Sequence, residues 1–140
     1  MNKLKIIFAC FVVFIFSCSE NKTTNKISYM VYQGIIPCAD CEGIKLTLKI
    51  ADDFQSYLLY ELYIGKSDNP FVEKGNLNTE RGFEEDEDAT VYVLNYDKPE
   101  TEQKYFVRLT KYPGSVIMLD RNRKIIQSEL NYKLLLVSPE

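Results

Sequence analysis

The chain of 140 residues contains no histidine and no tryptophan. The missing histidine removes the commonest metal ligand and the commonest general base near neutral pH. No serine or cysteine stands beside an evident base, and the scattered carboxylates cannot be paired from sequence, so an enzyme is the least favoured class. Basic residues are nowhere concentrated. There are 17 Lys and Arg against 20 Asp and Glu, a net charge of −3, and no patch of the kind that holds phosphates. Nucleic acid is therefore excluded as a partner. No window of a dozen residues carries a helical stripe, no segment repeats, and the length leaves room for one domain. No apolar run reaches the roughly 20 residues that a membrane-spanning helix requires.

What is present begins with a leader. Lys3 and Lys5 precede Ile6 to Phe16, an almost unbroken apolar run, which is the pattern of a secretory signal. The run ends at Ile15-Phe16-Ser17-Cys18 and gives way at once to the polar stretch Ser19 to Ser28. This junction resembles the lipobox of bacterial lipoproteins, in which the cysteine is lipidated and becomes the mature N-terminus. Phe16 departs from the small or aliphatic residue usual there, and Cys10 has too little apolar sequence before it. The resemblance implies a signal peptide over 1–17, lipidation at Cys18, a solvated tether through residue 28, and a domain over 29–140. The alternative is an ordinary cleaved signal in which Cys18 is incidental. Which membrane face the anchor would occupy is not written in the sequence.

From Tyr29 onward the apolar period is two. Ile44, Leu46, Leu48 and Ile50 alternate with Lys45, Thr47 and Lys49, as in a half-buried strand. The composition predicts further strands over Phe54–Ile64, Val91–Tyr96, Tyr105–Leu109, Val116–Leu119 and Tyr132–Val137, with weaker patterns over Tyr29–Ile36 and Val72–Leu77. Turn signals separate them at Asp52-Asp53, Ser67-Asp68-Asn69-Pro70, Lys98-Pro99, Pro113-Gly114 and Arg121-Asn122-Arg123. About eight short strands with hairpin-length connections point to an all-β fold. A closed antiparallel barrel is favoured over a sandwich, because closure removes exposed edges. Ten Tyr and eight Phe can fill such a barrel and leave hydroxyls at its mouth. The run Glu84-Glu85-Asp86-Glu87-Asp88 reads as a solvated loop, with a cation site as the alternative.

One segment is dense in special residues: Pro37-Cys38-Ala39-Asp40-Cys41-Glu42-Gly43. Pro37 and Gly43 bracket a tight loop between two strands, and Asp40 stands between the thiols. Three chemistries are open to the pair. An oxidising compartment would form a disulfide, whose short loop limits its entropic contribution. Two thiolates could instead chelate a soft ion. Zinc lacks a second ligand pair here, whereas Cu(I) accepts two or three soft ligands, with Met30 and Met118 as candidate helpers. Thiol exchange is the third. It is disfavoured because strands, not a helix N-terminus, flank the pair, and Asp40 and Glu42 place negative charge beside the thiols.

The heptad, read with Tyr32-Gln33-Gly34 before it and Ile44 and Leu46-Thr47-Leu48 after it, resembles the N-terminal domain of the NlpE family of envelope lipoproteins. The likeness continues through Tyr63-Ile64-Gly65, Phe71 to Leu77, Met118-Leu119-Asp120 and Leu130 to Leu134, and so spans about Tyr29 to Val137. It implies an eight-stranded, lipocalin-like barrel in the periplasmic leaflet of the outer membrane. It further implies a part in copper resistance and in signalling surface or lipoprotein stress to an envelope partner. Cys38 and Cys41 would be the redox- or Cu(I)-responsive element. Two departures stand out: the family's usual tryptophan near Asn76 is missing, and so is the second, C-terminal domain of some members. The rival function is a lipocalin-like carrier of a small apolar ligand with a purely structural disulfide; a third is an inert module or partner-docking surface.

Overall fold

Strict alternation of apolar and polar side chains lets each strand turn one row inward and the other to solvent. In the computed structural model, which describes residues 27–139, this produces eight strands and one short 3-10 turn. The strands are β1 (Tyr29–Ile36), β2 (Ile44–Ala51), β3 (Ser56–Tyr63), β4 (Phe71–Phe83), β5 (Asp86–Leu94), β6 (Lys104–Arg108), β7 (Ser115–Met118) and β8 (Lys133–Pro139). Each pairs antiparallel with the next, and β8 returns to β1, closing the barrel. The chain is thus the all-β, eight-stranded antiparallel barrel expected from its period. Cys18, the leader and residues 18–26 of the tether lie outside the described residues.

Away from the mouth the inward row is apolar and buried. Tyr32, Tyr57, Tyr92 and Phe106 are the largest side chains in it, packed with Leu46, Leu48, Ile50, Leu59, Leu94 and Leu134. Each such side chain contributes roughly 1.5–3 kcal/mol by leaving water. A second cluster lies on the outer face of β5 and β6, where Val91, Val93, Tyr105 and Val107 are buried with Leu119, and Ile125 packs against them. Both rows of β5 are therefore apolar, because the connection from β7 to β8 covers its outside.

Two sequence expectations need correction. β4 does not stop at Leu77 but continues to Phe83, since Leu77 to Arg81 pair with Leu94 to Thr90 of β5. The acidic run is not a loop throughout. Glu84 and Glu85 form the turn, with Glu84 at φ 50°, while Asp86 to Asp88 already belong to β5. Asp86 accepts a hydrogen bond from the Thr110 N–H at 2.8 Å, which holds its carboxyl below the usual range. Among the described residues no group of three or more His, Cys, Asp or Glu is arranged to hold a metal ion. A cross-strand register, which a local reading cannot see, made the difference.

Strand direction sorts the loops between two ends. Residues 37–43, 64–70, 95–103 and 119–132 share one end, here called the mouth. The turns at 52–55, 84–85 and 109–114 share the other, together with the start of β1 and the end of β8. The chain therefore enters β1 at the end opposite the cysteine loop.

Closure at β1–β8 depends on Gly34, where a Cβ would lie 2.6 Å from the Lys133 carbonyl oxygen and 2.8 Å from Leu134 Cδ2. Gly34→Ala is expected to lower stability by about 1–3 kcal/mol, as forced overpacking does. Gly114→Ala, with nothing within 4 Å, should stay within about 0.5 kcal/mol of the parent. Chemical denaturation of the two variants checks the contrast.

Candidate functional site

The cysteine loop joins β1 to β2 across the last pair of that ladder, Ile36 opposite Ile44. Pro37 ends the strand and Gly43 is buried where the chain re-enters the barrel: a Cβ there would meet Ile35 Cγ2 at 2.7 Å. The Gly43 carbonyl accepts a hydrogen bond from the Ile64 N–H at 2.9 Å, which ties the loop to the end of β3. Cys38 and Cys41 are joined as a disulfide with their Cα atoms 5.3 Å apart. Both residues are half-buried, so the sulfurs sit at the surface without projecting from it. Cys41 Sγ lies 3.3 Å from the Gly43 carbonyl oxygen, and Cys38 Sγ lies 3.6 Å from Asp40 Oδ1.

Asp40 does not face the sulfurs uncompensated. Its carboxylate is ion-paired with Lys66 of the neighbouring 64–70 loop, and the Lys66 hydrogen bond and charge hold its pKa below the usual carboxylate range. Glu42 packs over Gly65 on the same side. A shallow depression of about 400 Å³ separates the two loops, lined by Ala39, Asp40, Cys41, Glu42, Ile64 and Lys66. Lys66 was not among the residues singled out from sequence. It lies 26 positions from Asp40, and nothing local links them.

The candidate methionines fare differently. Met30 pairs with Ile50 and Pro139 at the far end of the barrel, so it cannot serve the loop as a third ligand. Met118 stands at the mouth, but it lines a separate groove of about 460 Å³ beside Phe71. The cysteine pair is brought to the mouth without either methionine against it.

That second groove lies over a polar cluster which sequence reading overlooked. Lys104 Nζ donates to Glu73 Oε2 at 2.6 Å and to Glu61 Oε1 at 3.1 Å. Glu73 Oε1 also accepts from the Tyr57 hydroxyl at 2.8 Å and from Asn95 Nδ2 at 2.6 Å. Asn95 is buried, with φ 57°, and Gly75 leaves room for it, since a Cβ on Gly75 would lie 2.2 Å from Asn95 Oδ1. The side chains of Lys104, Glu61 and Glu73 are only 27%, 17% and 20% exposed. Burial pushes Glu73 up, but its hydrogen bonds from Lys104 and Tyr57 outweigh this and leave it below the usual range. Burial pushes Lys104 down, and its two carboxylate partners more than restore it. Burial and the Glu73 contact drive the Tyr57 hydroxyl well above its ordinary value. The phase of the strands carried the signal: Glu61 follows Leu59, and Lys104 precedes Phe106, each on the inward row.

The cluster stitches β3, β4 and β6 together where β4 has lost β5 as a neighbour, since β5 ends opposite Leu77. Glu73, with its lowered pKa, adds stability that is present above its unfolded value and lost as pH falls through the folded one. Lys104→Met should cost about 3–5 kcal/mol at pH 7 by stranding two buried carboxylates. Burial would then raise the pKa of Glu73, so the penalty shrinks as the pH is lowered toward 4. Denaturation midpoints of parent and variant at pH 4 and pH 7 check both the size and the sign.

The model of the NlpE N-terminal domain family matches residues 32–129, most of the described barrel. Lipoprotein NlpE of Escherichia coli K12 is 31% identical over 106 residues, covering 74% of this chain. The chain spans only 39% of that relative's length. Among solved structures, a Shewanella oneidensis protein described as a lipoprotein superposes with a TM-score of 0.58 at 26% identity, over 76% of this chain and 86% of the other. The E. coli Cpx pathway activator NlpE superposes with a TM-score of 0.50 at 28% identity, over 74% and 48% respectively. Barrel, cysteine loop and matched span agree, and the chain belongs to the NlpE family through its N-terminal domain.

Proposed function

We propose that this chain is an envelope lipoprotein that senses Cu(I) or redox stress through Cys38 and Cys41 and acts by binding, not catalysis. The observation that carries the reading is the paired cysteine loop, half-buried at the barrel mouth and tied to the 64–70 loop by the Asp40–Lys66 ion pair. Reduction of the disulfide consumes two electrons and two protons and yields two thiols. Binding of Cu(I) then displaces those protons and leaves a two-sulfur chelate, which soft monovalent copper accepts. Lys66 lowers the local negative charge that Asp40 would otherwise set against the thiolates.

The same reading places Cys18 as the lipidated residue, the signal peptide over 1–17, and the chain on the outer membrane. The mouth, with its cysteine loop, is at the barrel end remote from the tether, which leaves it accessible to a partner in the envelope. The E. coli relative is described as a Cpx pathway activator, and a signalling protein of that envelope class is the partner proposed here.

Reduced, anaerobic chain titrated with Cu(I) against a competing chelator should bind one equivalent tightly, and Cys38→Ser, Cys41→Ser should abolish that binding. Equal affinity in the variant would remove the loop as the site. Unchanged copper tolerance on deleting the gene would remove copper from the function. For the oxidised protein, the four-residue loop predicts that reduction costs at most about 2 kcal/mol, so the barrel stays folded when its thiols are free. Circular dichroism before and after reduction tests this.

A further inference from the structure

The outward face of β1 to β4 differs in charge from the chain as a whole. The chain carries a net −3, yet none of the outward positions on these strands, as far as Asn76 on β4, is Asp or Glu among the described residues. Lys45, Lys49 and Lys74 stand there instead, around Tyr60, Leu62 and Val72. Register sets them side by side: Lys45 is opposite Leu62, Tyr60 opposite Val72, and Lys74 opposite Leu58. Lys49 Nζ lies 5.9 Å from the centre of the Tyr60 ring. The strand carboxylates Glu61 and Glu73 have the opposite phase and are turned inward to Lys104. Acidic side chains bound the face at its ends, with Asp52 and Asp53 in the β2–β3 turn and Asp40, Glu42 and Asp68 in the mouth loops, Asp40 being paired with Lys66. A depression of about 400 Å³ crosses the face between Lys45, Lys49, Tyr60 and Pro70. Beyond Leu77 acidic side chains appear: the β4–β5 hairpin carries Glu80 and Asp88, ion-paired with Arg123 and Arg81, and Glu84 and Glu85 in its turn.

We propose that this face docks onto a layer of anionic phospholipid headgroups, so that the tethered barrel lies with β2, β3 and β4 against its own membrane. The inference rests on the reading of Cys18 as the anchor for its geometry. Residues 19–28 reach ~35 Å when extended, more than the ~26 Å length of an eight-residue strand, so the tether lets the barrel lie on its side. Lys22 and Lys26 against Glu20 make the tether weakly basic as well. Lysine stems and a tyrosine ring around exposed Val72 and half-buried Leu58 and Leu62 suit an interface that is apolar below and anionic above. Each lysine near such a surface strengthens binding about fivefold, and the anchor supplies the high local concentration that makes a weak contact effective. The cysteine mouth then opens along the membrane plane, toward neighbouring proteins.

Because the chain has no tryptophan, a single introduced one is an unambiguous reporter. Val72 is 49% exposed and outward, so Val72→Trp places the indole on the face without disturbing the core. Glu85→Trp places it in the turn of the acidic hairpin as a control. The chain from Ser19, which contains the whole closed barrel and no acyl group, is mixed with vesicles of phosphatidylglycerol and phosphatidylethanolamine or of phosphatidylcholine alone. The expected result is a blue shift at Val72→Trp, quenched by brominated acyl chains, with the anionic vesicles only, and no shift at Glu85→Trp. Lys45→Gln and Lys74→Gln should each weaken binding about fivefold. Co-sedimentation of the unsubstituted chain with the same vesicles gives the answer without a reporter. Equal binding to both vesicles, or indifference to the two lysines, overturns the proposal. A response of the same lysines to poly-glutamate but not to anionic vesicles assigns the face to an acidic protein and also overturns it. Acylation of Cys18 is read separately, from the mass of the full chain recovered from membranes, so failure of the anchor leaves the vesicle result standing.

Discussion

The fold depends on β8 closing against β1. Until that seam forms, the barrel has two raw edges, and its inward row of tyrosines and leucines is open to water on one side. Closure removes both edges at once and seals the apolar interior. It also fixes the geometry that matters for function. With all eight strands antiparallel and in sequential order, strand direction puts every odd-to-even connection at one end and every even-to-odd connection at the other. The cysteine loop thereby faces the mouth, and the entry to β1 faces away from it. At Gly34 the two closing strands leave no room for a Cβ.

At the mouth the hydrogen-bonded wall is interrupted, because β5 leaves β4 at Leu77 and the chain wanders through residues 95–103 before β6 returns. Charged hydrogen bonds take over there. Lys104 reaches across to Glu73 and Glu61, and Asn95 and Tyr57 complete the coordination of Glu73. Such bonds are stronger than neutral ones but stand only while every member is present. The mouth is therefore held by ion pairs, Lys104 with Glu73 and Glu61 and Lys66 with Asp40, while the Cys38–Cys41 disulfide closes only its own loop. The Lys104 cluster involves neither cysteine, so its contacts do not depend on the state of the sulfurs.

Much of this was legible in the residues. Period-two alternation at Ile44 to Ile50 identified a strand directly, and the Pro37 to Gly43 bracket identified the loop. Val91 to Leu94, apolar at every position, carried the signature of a strand covered on both faces, although the covering segment around Ile125 could not be inferred from it. The polar sequence Asn78 to Gly82 hid the second half of β4, because its strand character comes from cross-strand partners on β5. The Glu61–Lys104 contact spans 43 positions, and the Asp40–Lys66 pair 26. Inward phase announced the charges one at a time; only the closed register announced that they meet.

The central claim is that the two sulfurs of the mouth loop are the copper-binding atoms. Copper K-edge X-ray absorption of the reduced chain loaded with one equivalent of Cu(I) tests it most directly. A first shell of two sulfur scatterers, lost in the Cys38→Ser, Cys41→Ser variant, is the predicted result. A shell dominated by oxygen or nitrogen, or a sulfur shell that persists in the variant, would contradict it.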